Sequence, residues 1–217
     1  MDWQALTVSL QLGAATLALL LPLAIALGRL LATRRFPGKT VIEGAVALPL
    51  VLPPTVLGFY LLSSFGSRSP LGRVFDSIAG QSLAFSFEGL VVASIIVNLP
   101  FAVQPIQRAF EAIPADVREA AACCGMPPLR SLASIELPLA WPGILTAAIL
   151  VFAHTLGEFG VVLMVGGNIP GETRTASIAL YDETQIPGGA PGGLAAALLM
   201  LSFLSILAVQ LLARRRR

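Results

Sequence analysis

Five stretches of the chain carry no Asp, Glu, Lys or Arg: residues 6–28, 44–66, 89–107, 137–157 and 192–213. Charged side chains are expensive in hydrocarbon. About 20 apolar residues in a helix, at 1.5 Å of rise each, cross a bilayer core of about 30 Å. Each stretch approaches or exceeds that length, so five membrane-spanning helices are predicted. The fourth is expected to run on to about Val165, carrying Glu158 inside it. Only 12% of the 217 residues are charged, about half of what a water-soluble surface requires. Two cysteines are too few for a disulfide scaffold, and 56% hydrophobic residues exclude a disordered chain. The predicted fold class is an all-α polytopic membrane helix bundle, a single transmembrane domain over residues 1–217. No internal repeat is visible, whereas a secondary transporter usually carries two repeated halves. An oligomer, or a subunit of something larger, is expected.

The first stretch is read as a retained span. A secretory signal would carry its basic residues first; here Arg29, Arg34, Arg35 and Lys39 follow the apolar run. Those charges also set the orientation. With the N-terminus outside, Arg29, Arg34, Arg35, Lys39, Arg108, Arg118, Arg130 and Arg214 to Arg217 fall on the cytoplasmic side, eleven of the fourteen basic residues. Arg68, Arg73 and Arg174 remain outside. The positive-inside rule therefore predicts N-out, C-in.

Pro22, Pro49, Pro53, Pro54 and Pro100 lie within or at the ends of the predicted spans. Proline removes an N–H and bends a helix. Pro53 and Pro54 are expected to break or kink the second span near its middle, either as packing irregularity or to shape a translocation path.

The cytoplasmic loop between the third and fourth spans, residues 110–138, reads as two short helices. Pro114 suits a helix start, with Asp116 and Glu119 in the early turns where the helix dipole favours acids. Gly125 suits a left-handed C-terminal cap. Pro127 and Pro128 restart a helix through Ile135, and Pro138 is expected to close it before the fourth span. The middle of this elbow, Ala120 to Cys124, is built of small residues that permit close approach by another surface.

Glu119-Ala120-Ala121, three residues, Gly125, nine residues, Ile135, one residue and Leu137-Pro138 resemble the EAA loop of ABC importer permeases. In that family the loop is the coupling helix that docks on a cytoplasmic ATPase. Four further segments resemble the molybdate permeases of that family. They are Phe36-Pro37-Gly38-Lys39, residues 48–54, Leu156-Gly157-Glu158-Phe159-Gly160 and residues 168–175. The sulfate and thiosulfate permeases resemble them less closely, particularly across residues 171–175.

The resemblance implies a type I importer permease fold in the bacterial inner membrane and an import path for molybdate, with tungstate. The implied partners are a second copy of the chain, two ATPase subunits that hold ATP and Mg, and an extracytoplasmic oxyanion-binding protein. No cofactor on this chain and no nucleic-acid partner are expected. A sulfate or thiosulfate importer is the alternative. An ATPase-independent secondary transporter is disfavoured by the missing repeat.

Glu158 is the one acid inside a predicted span, and intramembrane ionisable groups are functional candidates. His154, one turn earlier on the same face, is within reach of it. A carboxylate repels an oxyanion, so Glu158 is expected to gate, or to bond structurally by capping backbone or pairing with Arg174. Ser94 and Asn98 share a face of the third span, either lining the path or bonding a neighbouring helix. Arg174, with Thr173 and Thr175, either offers donors to the oxyanion or contacts the binding protein, and residues 174–185 are expected to form a short helix at the outer surface. The sole histidine has no partners for a metal site. Cys123 and Cys124 read as small packing residues, since adjacent cysteines on a reducing side do not favour a disulfide. Gly38-Lys39-Thr40 is no P-loop, because Thr33 stands where the first glycine belongs and no strand precedes it. No catalytic residue is therefore assigned to this chain.

Overall fold

A computed structural model describes residues 2–186 and 192–214; Arg215, Arg216 and Arg217 lie outside the described residues. It is helical throughout, with no strand among the described residues. Helix α1 is Trp3–Thr33, begun by Asp2, whose Oδ1 accepts from the Ala5 N–H at 3.0 Å. After the Gly38 turn come α2 (Lys39–Val51), α3 (Pro54–Phe65) and a short surface helix, α4 (Pro70–Ala79). Helix α5 (Phe87–Glu111) follows, started by Ser86, whose hydroxyl accepts from the Gly89 N–H at 3.1 Å. The elbow holds α6 (Ala115–Cys123) and α7 (Pro128–Ser131). The chain then passes through α8 (Leu137–Gly157), α9 (Gly160–Gly166), α10 (Ala176–Gln185) and α11 (Gly192–Arg214).

Helix α5 is the central post. It packs along α1 and α8 and also touches α2, α3 and α9. One apolar cluster gathers α1, α3, α5 and α9 around Leu12, Phe65, Leu90 and Val161. A second, toward the elbow, joins α1, α2, α5 and α8 around Leu20, Leu31, Val103 and Phe110. In lipid, apolar burial does not by itself favour helix against helix, so close approach matters. Gly28 supplies it: a Cβ there would sit 2.9 Å from Ile106 Cγ2 and 3.1 Å from the Gln107 nitrogen.

Among the described residues, three unbroken helices are long and apolar enough to cross a bilayer: α1, α5 and the rod Pro128–Gly157. Two of the five predicted windows take another form. The second span is the pair α2 and α3, bent by 112°. The residue before a proline avoids helical ψ, and Leu52 and Pro53 accordingly take ψ of 134° and 135°. The break expected at Pro53 and Pro54 is thus a sharp reversal of direction. The fifth window lies in α11, where a shorter apolar stretch is described over Gly192–Leu207.

Pro138 does not close a helix. The rod runs continuously from Pro128 to Gly157, widening to a π turn over Leu132–Glu136, where the Leu137 N–H reaches back to the Leu132 carbonyl. A wider turn immediately before a proline relieves the clash between its ring and the preceding carbonyls. The fourth span also stops short of Val165. Glu158 turns extended at ψ 128°, Phe159 follows, and α9 starts afresh at Gly160.

Candidate functional site

The elbow is two short helices joined at a glycine corner. Pro114 stands at the N-cap of α6, and at the other end the Gly125 N–H donates to the Ala122 carbonyl at 2.9 Å. The Met126 N–H donates to the Ala121 carbonyl at 3.1 Å. These are the two bonds of a Schellman closure, which needs a left-handed residue between them. Gly125 supplies it at φ +70°, and a Cβ there would meet nothing within 4 Å. Conformation, not space, selects glycine. Ala121 is buried, whereas Glu119, Ala120, Ala122, Cys123, Cys124 and Gly125 are exposed. The cysteines are free and exposed, on the small-residue face that leaves room for another surface. On the rod, Ile135 and Leu137 are half-buried and Pro138 is exposed.

Where the elbow joins the bundle lies an ion cluster that sequence reasoning missed. Glu136, 1% exposed, receives a two-pronged guanidinium from Arg29 of α1: Nε to Oε2 at 3.0 Å and Nη2 to Oε1 at 2.7 Å. Arg118 of α6 points Nε at the same Oε2 from 3.6 Å, while its Nη2 donates to the Phe110 carbonyl at 2.5 Å. Forked arginine–carboxylate pairs fix geometry as well as charge. The signal available in the sequence was slight. Arg29 and Glu136 are the first charges flanking the windows 6–28 and 137–157; Arg29 was read through topology alone, and Glu136 was assigned no role.

A second polar chain runs through the middle of the bundle. The Thr16 hydroxyl donates to Ser94 Oγ at 2.9 Å, linking α1 to α5. Asn98 Nδ2 donates to the Ser94 carbonyl at 2.8 Å and to Thr155 Oγ1 at 3.1 Å. Its Oδ1 lies 3.1 Å from His154 Nδ1. An amide oxygen only accepts, which places a proton on Nδ1 and leaves Nε2 facing Glu158 Oε2 at 3.8 Å. Ser94 and Asn98 are thus buried and bonded across helices. His154 and Glu158 instead line a cavity of about 200 Å³ beside the α2–α3 break, with Pro49, Pro54, Leu57 and Phe101.

Glu158 is not in a continuous span. Its Oε1 accepts from the Val161 N–H at 3.1 Å, capping α9, and its backbone carbonyl accepts from the Ser177 hydroxyl at 2.6 Å. It does not meet Arg174. That guanidinium pairs with Asp182 at 3.0 Å and faces Asp2 at 3.8 Å, tying α10 to the start of α1. Thr173, buried, donates to the Gly166 carbonyl at 2.6 Å, and Ser9 accepts from the Ala176 N–H at 2.8 Å. The helix expected over residues 174–185 is α10, docked on α1 through Ala176 and Ala179. Among the described residues no group of His, Cys, Asp and Glu is placed to hold a metal ion.

Residues 22–217 match the family described as binding-protein-dependent transport system inner membrane component. The chain is 46% identical over 209 residues to the molybdenum transport system permease protein ModB of Azotobacter vinelandii, covering 96% of this chain and 92% of that one. To the protein of the same name from Escherichia coli K12 it is 38% identical over 218 residues, covering 100% and 95%. Among solved structures it superposes on a bacterial ABC transporter that imports the acidic polysaccharide alginate. There the TM-score is 0.74 at 17% identity, over 98% of this chain and 78% of that one. That likeness speaks for the fold.

Proposed function

The chain belongs to the binding-protein-dependent transport system inner membrane components, and from that membership we propose that it is the membrane subunit of an ATP-driven importer of molybdate, with tungstate. The observation that carries the coupling part of this reading is the elbow: an exposed small-residue face on α6, held at a fixed angle by the Gly125 closure. Such a face fits a groove on a separate ATPase. The similarity to relatives named for molybdenum transport supports the substrate.

Two copies enclose the path between them, and the broad exposed apolar surfaces of α2, α3 and α11 serve the lipid and the second copy. A binding protein delivers the oxyanion on the side away from the elbow. ATP and Mg reside on the two ATPase subunits, whose closure moves the elbows, and the rod Pro128–Gly157 carries that motion into the bundle. This chain hydrolyses nothing. Its residues shape the path, and the break at Pro53 with the cavity beside Glu158 and His154 is where that path is gated.

The test is ATP hydrolysis by the complete complex, this chain with its ATPase and binding protein, under molybdate, tungstate and sulfate in turn. Stimulation by molybdate and tungstate is expected. Stimulation by sulfate alone would keep the importer and replace its substrate.

A further inference from the structure

The Glu136 cluster is not used by any step above, and its geometry is asymmetric. Arg29 is fully engaged: both prongs of its fork meet the carboxylate, at 3.0 and 2.7 Å. Arg118 is not. Its Nε is buried and has no hydrogen-bond partner, yet it faces Glu136 Oε2 from 3.6 Å. A buried N–H left unmade is costly and calls for a reason. Here a displacement of roughly 0.6 Å would bring it to ordinary hydrogen-bond length. The three residues come from three separate elements: Arg118 from the elbow helix α6, Glu136 from the π turn at the root of the rod, and Arg29 from the last turns of α1. A π turn inside a helix commonly marks a place where function has required a local departure from regular packing.

We propose that Glu136 is the joint through which the elbow moves the bundle, with Arg118 closing on its carboxylate when the elbow is pushed while Arg29 keeps α1 attached to the same group. Glu136, Arg29 and Arg118 are positioning residues; none touches the oxyanion. The proposal rests on the importer reading and names how that importer transmits motion. A purely structural ion pair makes a different prediction. Replacing a buried pair by apolar residues of similar size often leaves a protein as stable or more so. A structural pair exchanged in this way should therefore leave coupling intact, and a joint should not.

The experiment compares wild type, R29M/E136M, R118Q and R118K in proteoliposomes with the ATPase and binding protein. Assembly is verified by co-purification of the ATPase, and the readout is molybdate taken up per ATP hydrolysed. The assembled R29M/E136M and R118Q complexes are expected to carry about tenfold less molybdate per ATP, the loss of one charge-assisted bond of ~1.4 kcal/mol converted at tenfold per 1.4 kcal/mol. R118K, which keeps the charge, recovers part of the ratio. If R29M/E136M does not assemble, R118Q decides alone, since the Arg118 side chain is 27% exposed and its truncation leaves the Arg29–Glu136 fork in place. Wild-type ratios in R118Q, or in an assembled R29M/E136M, overturn the joint and leave the importer standing. No ATP-driven uptake of any oxyanion by wild type overturns the importer reading, and the joint with it.

Discussion

Gly125→Val isolates the lever from everything else in the molecule. The residue sits at φ +70° with open space where a Cβ would be. A side chain there meets no neighbour, so the cost is the backbone's alone. A non-glycine residue in the left-handed region costs about 1–2 kcal/mol, and a β-branched one stands at the upper end of that range. That is a factor of roughly 5 to 30 in the population of the closed elbow. The two Schellman bonds, at 2.9 and 3.1 Å, go with it when the turn opens. The core clusters are untouched, so insertion and helix packing should be unaffected. Measured as molybdate uptake per ATP in proteoliposomes, the order expected is Gly, then Asn, then Ala, then Val, because asparagine tolerates this conformation best among side chains. Normal uptake by Gly125→Val, or Ala falling below Val, would refute the idea that backbone conformation at this corner sets the lever.

The remaining predictions concern the break, the cap and the orientation. Replacing Pro53 and Pro54 by alanine should straighten the bend of 112°. Spin labels on the exposed positions Val41 and Tyr60 would then approach the separation of a continuous helix, about 28 Å at 1.5 Å per residue, from a much shorter distance in the parent. Glu158→Ala removes the acceptor for the Val161 N–H and should cost about 1 kcal/mol, the usual worth of an N-terminal cap, read as a lowered melting temperature in detergent. Glu158→Gln keeps an acceptor and should lose less. Cys123 and Cys124 are the chain's only cysteines and both are exposed. With N-out orientation, a membrane-impermeant maleimide should label them only after the cells are permeabilised, and bound ATPase should protect them. Labelling of intact cells would reverse the topology.

Much of the architecture was legible because lipid punishes charge: the uncharged windows fall on α1, the α2–α3 pair, α5, the rod and α11. The elbow was legible because its rule is local. A left-handed glycine between two short helices can be read from five residues, and Gly125 is where it was expected. The misreadings share one physical origin, context beyond a few residues. Pro138 looked like a stop because proline usually is one; the rod passes through it by widening to a π turn, a departure from regular helix that no residue pattern announced. Glu158 looked like part of one continuous helix because its neighbours are apolar, while the Ser177 hydroxyl that bonds its carbonyl at the break lies 19 residues away. The Arg29–Glu136 fork joins residues 107 apart, and no local pattern records it. The partners of Ser94 and Asn98 on α1 and α8 were hidden in the same way.

The central claim is that this chain conducts an oxyanion only when an ATPase drives it through the elbow. The direct measurement is accumulation of molybdate inside proteoliposomes containing this chain, with binding protein present and the ATPase either included or withheld. Accumulation above the external concentration is predicted with ATPase and ATP, and none without either. Uptake that proceeds equally without the ATPase would contradict the account.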